Sequence, residues 1–332
     1  MLLLTATALL LATPALHAAY APHSCTPLLD DASLLHPQGN NNACSSATGL
    51  TLITNPAFRI CIRQASNMVD DTVRVSGGVW PDCQLVDAML RGWQGLVVPV
   101  ETGSSSIILD IGANIGACSV ALAAQGHTVV AFEPKKEHVD MIKASVDANP
   151  PWRGRLHLHA NGLSDKATES ATLTTEDGNS GNSWVFAGQA APHAADASTI
   201  GGRSDKHVTV DTGIKLLPLD TYCTTPFDAV KMDAQGFEAA ILRGGRHTLR
   251  RGTLKRIMLE FWPFGLEAHG YSSASLLQML VNNHYRLFAD NGTEIVPATF
   301  YAFDSGLRHA DAGNPWRGFG HLFSFHGSVM RS

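Results

Sequence analysis

Between Ile107 and Glu133 the chain reads IILDIGANIGACSVALAAQGHTVVAFE, a succession of strand, glycine turn, short helix, strand and acid. An apolar run (Ile107, Ile108, Leu109) ends in Asp110, a loop with Gly112 and Gly116 follows, and Val129 to Phe132 leads to Glu133. That pattern commits the chain to the mononucleotide-binding half of a doubly wound sheet. There, glycines let backbone approach a ligand and the acid after the second strand takes the ribose hydroxyls. The loop reads Gly112-Ala113-Asn114-Ile115-Gly116 and lacks the middle glycine of a dinucleotide fingerprint. A pyrophosphate on the helix N-terminus is therefore disfavoured, and a nicotinamide oxidoreductase with it. S-adenosylmethionine carries no phosphate, and its cationic amino acid end would suit Asp110.

Composition narrows the alternatives. The 332 residues are 45% apolar, enough for a full core. A net charge of -5 with 16% charged residues provides no basic stripe, so no nucleic-acid partner is expected.

The reading divides the chain into a signal peptide or signal anchor (1–20), a cysteine-bearing extension (21–100) and a cofactor domain (101–330). Leu2 to Leu16 is apolar and is followed by Ala18, Ala19 and Ala21, as in a cleaved secretory signal. Its length falls short of the ~20 residues of a membrane span, so membrane attachment is expected only if the segment stays uncleaved. The address implied is the lumen of the secretory pathway (ER or Golgi) or the exterior. A cofactor made in the cytosol would then need import, which favours the lumen. Cys25, Cys44, Cys61 and Cys83 precede the first sheet strand and suggest two disulfides, with three possible pairings. Cys223 and Cys118 lie inside the cofactor domain, and Cys118 reads as a small buried apolar residue. Asn291-Gly292-Thr293 is an acceptable glycosylation sequon in a surface turn.

Residues 19 to about 55 are rich in Pro, Ser and Asn and read as a linker or stalk. Asp82 can cap a helix through Arg91. After Glu133 the expected elements are a helix to Ala148 and strands at Arg155–His159, Phe227–Asp233 and Arg256–Trp262. Helices follow at Phe237–Arg250 and Ser273–Asn283, with closing strands near Tyr285–Ala289 and His321–Phe325. Strands at His207–Asp211 and Ile214–Leu219 follow a Gly, Ser, Ala and Thr rich insertion, Thr168 to Arg203, expected to contact the acceptor. The fold class expected is α/β, a Rossmann-like, doubly wound, mostly parallel sheet with an N-terminal extension.

Ligands on such sheets lie outside the carboxyl ends of the strands, where this chain places Asp110, Glu133, the Asn161 to Asp165 turn, Asp233 and Glu260. The run Lys231-Met232-Asp233-Ala234-Gln235-Gly236-Phe237-Glu238 puts an acid after a buried strand and a glycine before a helix. Together with Leu219-Asp220, Met258-Leu259-Glu260-Phe261, LDIGANIG and FEP, this run resembles the FkbM family of S-adenosylmethionine-dependent methyltransferases over roughly residues 105 to 290. The resemblance implies a sheet of the class I methyltransferase type and O-methylation of a sugar, glycoconjugate or small natural product. It implies that Asp110, Gly112, Asn114 and Gly116 hold the methionine end of the cofactor and Glu133 the ribose, while Gly162, Leu163, Ser164 and Asp165 border adenine. Lys231, Asp233, Gln235 and Glu238 would line the reacting side, with Gln235 standing where many members have Glu.

An alcohol acceptor must lose its proton as it attacks, so Asp233 is the candidate base and Glu260 the second. No metal is expected, because His157 and His159 lack a third ligand at a suggestive spacing. Arg243, Arg246, Arg250 and Arg251 read as a solvated helix end, and Trp262-Pro263-Phe264 as packing or an acceptor platform. The competing class is a secreted binding module that keeps the fold without turnover.

Overall fold

The computed structural model describes residues 25–30, 33–35, 44–45, 49–101, 103–149, 154–187, 208–223, 225–309 and 318–331. The signal-like segment and residues 188–207 lie outside the described residues. The central sheet has eight strands: β1 (Ile107–Ile111), β2 (Thr128–Phe132), β3 (Leu156–His159), β4 (Ala229–Met232), β5 (Arg256–Phe261), β6 (Tyr285–Ala289), β7 (Glu294–Ile295) and β8 (Gly320–His326). Their spatial order is β7-β6-β8-β5-β4-β1-β2-β3. From β3 to β5 neighbours are parallel, whereas β8, β6 and β7 complete the other edge antiparallel. The expected doubly wound α/β sheet is thus present, with an antiparallel edge. Its strand order reverses between β1 and β4, and the loops leaving those two strands flank the crevice in which such sheets bind ligands.

Alternation sorts the strand residues onto two faces. Ile108, Val129, Ala131, Ala229 and Met258 belong to one core, and Leu109, Ile111, Val130, Phe132 and Met232 to the other. At about 1.5–3 kcal/mol for each large apolar side chain removed from water, both faces must be covered. On the first face the cover is the extension. The hairpin Leu50–Thr54/Arg59–Arg63 and the helices Met68–Val75 and Cys83–Leu90 send Ile60, Val73, Val86 and Met89 into the same core. Trp93 stacks on Phe323 of β8 with ring centroids 4.6 Å apart. From Leu50 onward the extension is therefore a layer on this sheet face, and residues 50–54, expected in the stalk, form one of its strands. This arrangement also explains why the helix Ala117–Ala124 is buried all round: it lies between β2 and the helix Cys83–Leu90.

The cysteine pattern is likewise corrected. Cys44 pairs with Cys61 inside the extension, but Cys83 pairs with Cys118. Cys118 is thus no mere packing residue; it ties the extension to the helix that follows the glycine loop.

Three local expectations shift. Asp82 makes no capping bond to its helix, because its carboxylate is engaged by Trp80 and His321. The helix after Phe237 divides at Gly245 into Glu238–Gly244 and Arg246–Arg250. The two strands expected around residue 212 form one, Val208–Leu217, with an irregular register beside Gly213 at φ +70°. It joins Gly162–Leu163, Thr168–Glu176 and Asn179–Phe186 in a second, four-stranded sheet.

Candidate active site

β1 extends through Ile111, so Asp110 sits inside the strand rather than at its end. It is fully buried, and its register partner across to β4 is Lys231. Two polar residues side by side continue a strand when each satisfies the other. Lys231 Nζ is 3.3 Å from Asp110 Oδ1 and donates to the Gly112 carbonyl at 2.9 Å, while Ser119 Oγ donates to Asp110 Oδ2 at 2.6 Å. Burial disfavours the Lys231 ammonium, but Asp110 and Asp233 more than offset this and raise its pKa. The pair therefore holds the glycine loop from behind.

The loop itself needs left-handed backbone: Gly112 has φ +75°, Asn114 +52° and Gly116 +83°. A Cβ on Gly112 would lie 1.9 Å from the Asp233 carbonyl oxygen, and one on Gly116 2.7 Å from Ile142. Gly112 thus permits the loops after β1 and β4 to touch, and Gly116 lets the next helix approach its neighbour. Asn114 tolerates its conformation with a side chain that accepts from Ile115 N–H and donates to the Ser180 carbonyl.

A cleft of about 640 Å³, open to solvent, runs from Gly112 past Glu133 to Gly162 and Leu163. Glu133 accepts from the backbone N–H of Asn114 at 2.8 Å and of Lys135 at 2.9 Å, and its Oε1 is 3.3 Å from His138 Nδ1. Phe132, Leu163, Leu216 and Ile241 supply apolar wall, and Ser180, Gly181 and Ser183 of the second sheet close it from above. The insertion expected to face the acceptor therefore roofs this cleft. Among the described residues no lysine or arginine lines it, whereas Glu133 and Asp233 do.

The expected adenine turn is split. Gly162 and Leu163 line the cleft, but Ser164 and Asp165 turn toward the helix Glu238–Gly244, where a Cβ on Gly244 would meet the Ser164 carbonyl at 1.9 Å. Asp110 is likewise absent from the cleft wall among the described residues. The structure thus places Asp110, Ser164 and Asp165 outside the lining of this cleft. For Asp110 the reason is strand alternation, which turns it toward the extension.

Beyond the glycine loop, Asp233 follows β4 directly, with 27% of its side chain exposed. Gln235, in left-handed backbone at φ +52°, donates from Nε2 to Asp233 Oδ1 and Glu260 Oε2, both at 2.8 Å. The bridge requires a donor between two carboxyl groups, which an amide supplies and a carboxylate does not. Burial, followed by the nearby Asp233 and Glu238, pushes Glu260 well above the usual carboxyl range. Glu238 accepts from Ala234 N–H at 2.8 Å, and burial raises its pKa to about 7. Glu260 lies within β5 opposite His321 of β8. Burial opposes the His321 cation, but Asp290 and Asp82 on its two nitrogens prevail and raise its pKa to about 10.

A second, smaller cleft of about 370 Å³ opens between the extension and the glycine loop, bordered by Val69, Trp80, Ala117, Lys231, Asp233 and Asn114. Asp233, Asn114 and Gly181 line both clefts. Sequence reasoning missed Trp80, His138 and His321; no local pattern marks them, since each acquires its place from distant chain. His157 and His159 anchor the N-terminal segment through Ser33 Oγ and the Leu28 carbonyl, and no cluster of possible metal ligands occurs among the described residues. Trp262 is buried against Trp184, which assigns it to packing.

The profile of the methyltransferase FkbM domain matches residues 110–287. Among solved structures, a methyltransferase FkbM from Methylobacillus flagellatus KT is 15% identical with a TM-score of 0.36, over 77% of this chain and 60% of that one. The present chain thus spans 60% of the length of that protein. Magnesium protoporphyrin IX methyltransferase from Synechocystis PCC 6803, solved with bound SAM, is 12% identical with a TM-score of 0.38, over 80% of this chain and 87% of that one. No curated protein matches the chain. With the matched profile spanning more than half of its residues, the chain belongs to the FkbM methyltransferase family.

Proposed function

We propose that this protein is an S-adenosylmethionine-dependent enzyme that methylates a hydroxyl of a sugar, glycoconjugate or small natural product, with Asp233 as general base. The observation that carries the reading is the shared wall: Asp233, Asn114 and Gly181 line both clefts, so a carboxylate stands where two ligands would meet.

The larger cleft fits the cofactor. It lacks lysine and arginine among the described residues, so a pyrophosphate would find no counter-ion, while Glu133 and Asp233 favour a cationic ligand. Glu133 retains acceptor capacity for ribose hydroxyls beyond its two backbone bonds. His138 lines the same cleft, and its buried Nε2 has no hydrogen-bond partner among the described residues. The cofactor, when bound, supplies a sulfonium-activated methyl group for in-line displacement.

The residues of the chain align and deprotonate. Gly112 and Asn114 shape the methionine end, and Phe132, Leu163 and Ile241 flank a planar base. Asp110 acts at one remove, through Lys231 and the Gly112 carbonyl. Gln235 orients Asp233 through Oδ1, and Oδ2, whose one ion-pair contact is Lys231 Nζ at 3.9 Å, is placed to accept the proton of an attacking hydroxyl.

Calorimetry with S-adenosylmethionine and with NAD, then transfer of labelled methyl to fractionated glycans, lipids and small molecules, tests this function. Asp233→Asn is expected to lower turnover by about 10²–10⁴ while binding S-adenosylhomocysteine within about threefold of wild type. Near wild-type turnover would remove Asp233 as base, and NAD binding in place of S-adenosylmethionine would overturn the whole reading.

The proposed compartment is the secretory-pathway lumen or the exterior. It is supported by the disulfides Cys44–Cys61 and Cys83–Cys118, and by the exposed Asn291 of the sequon. No described helix is long and apolar enough to cross a membrane. Mass spectrometry of the N-terminus of the expressed full chain tests cleavage near Ala18 to Ala21.

A further inference from the structure

We propose that the smaller cleft is the acceptor seat and that Trp80, from the extension, is its recognition platform for the ring of an uncharged sugar. The inference rests on the O-methyltransferase reading and adds the acceptor class and the residue that selects it.

Trp80 is only partly buried, and its indole is fixed at one edge: Nε1 donates to Asp82 Oδ2 at 3.1 Å. Asp82 Oδ1 lies 3.5 Å from His321 Nε2, whose Nδ1 lies 3.4 Å from Asp290 Oδ1. The disulfide of Cys83, three residues on, clamps this segment to the helix after the glycine loop. An aromatic face held rigid beside a partly exposed carboxylate, Asp233, suits a ligand with an apolar C–H face and hydroxyl edges. The ring would lie on Trp80 with one hydroxyl at Asp233.

The charge around the cleft selects against other acceptors. Among the described residues the one cation on its wall, Lys231, is committed to the Gly112 carbonyl and Asp110. Asp233 faces the cleft, and Lys231, 3.9 Å from its Oδ2, is shared among Asp233, Asp110 and the Gly112 carbonyl, so a phosphate or carboxylate would meet repulsion with no uncommitted counter-ion on that wall. A phenol could stack as well, but it ionises readily and offers a single hydroxyl.

The test is saturation-transfer NMR on the full chain loaded with S-adenosylhomocysteine. The probes are a panel of methyl hexosides and methyl deoxyhexosides, with catechol and glucose 6-phosphate as competing classes. We expect methyl glycosides to bind the wild type, Trp80→Ala to weaken them at least tenfold and Trp80→Phe to retain them within about threefold. S-adenosylhomocysteine affinity should stay within twofold in both variants, which also certifies their fold. Equal glycoside binding in Trp80→Ala overturns the platform even if methyl transfer stands. Binding of catechol or glucose 6-phosphate alone, or of no probe, overturns the sugar assignment. Failure of the wild type to bind S-adenosylhomocysteine defeats the enzyme reading and this inference with it.

Discussion

The ammonium of Lys231 donates to the carbonyl oxygen of Gly112 at 2.9 Å, so a residue of β4 fixes the turn that leaves β1. This bond couples the two halves of the sheet where ligand binding is expected, and on the proposed function Lys231 would act as a positioning residue. Lys231→Met keeps the length and removes the charge, leaving Asp110 buried with only the Ser119 hydroxyl. Breaking a buried ion pair on one side costs about 3–5 kcal/mol, and the freed loop should bind S-adenosylmethionine at least tenfold more weakly. Chemical denaturation and calorimetry check both; a variant as stable as wild type contradicts the role.

Gly112→Ala should be far more damaging than a glycine replacement chosen only for its backbone. Gly178 has φ +77° with nothing near its virtual Cβ, so Gly178→Ala incurs only left-handed strain of about 1–2 kcal/mol. Gly112 has a similar φ of +75° but a carbonyl oxygen 1.9 Å from the new methyl, which must separate the loops after β1 and β4. Cofactor affinity should fall in Gly112→Ala and stay unchanged in Gly178→Ala, as isothermal titration would report.

Glu238 makes stability depend on pH in a defined window. Burial raises its pKa from 4.5 to about 7, so between these values the folded state holds a proton that the unfolded state has lost. Its contribution is therefore full below about pH 4.5 and declines as pH rises through about 7. Glu238→Gln keeps an oxygen acceptor for Ala234 N–H and cannot ionise. From pH 4.5 to 8 the wild type should lose up to roughly 3 kcal/mol more than the variant, since each tenfold difference in proton affinity between folded and unfolded chain is worth ~1.4 kcal/mol. Parallel stability curves would refute this.

Removing the Cys83–Cys118 bridge, as the double serine variant, should cost up to about 4 kcal/mol for a span of 35 residues. Cys44–Cys61, spanning 17, should cost up to about 3 kcal/mol. Thermal unfolding with and without reductant measures both. The distinguishing expectation is functional: loss of Cys83–Cys118 loosens the wall carrying Trp80, so acceptor KM should rise while S-adenosylhomocysteine affinity holds.

Legibility in the sequence depended on how local each feature is. Glu133 and Asp233 stand directly after their strands, as the apolar runs predict, each giving a last backbone bond to the neighbouring strand, Glu133 N–H to His159 and Asp233 N–H to Ile111. Asp110 and Glu260 read as strand-end acids too, yet both lie within strands, opposite Lys231 and His321. A polar residue ends a strand only when nothing across the sheet satisfies it, and that partner is invisible in a local window. The same limit hid the turning of Ser164 and Asp165 toward Gly244.

By itself the sequence determined the β-α-β unit, the glycine turn and the acid that follows, because strand periodicity and left-handed turn chemistry act between residues close in the chain. Only the tertiary structure decided that the extension covers one sheet face, that Cys83 rather than a neighbour in the extension meets Cys118, and that Trp80, Asp82 and His321 converge beside Asp233. Those juxtapositions follow from which apolar faces bury one another, a choice made by the whole core rather than by any segment of it.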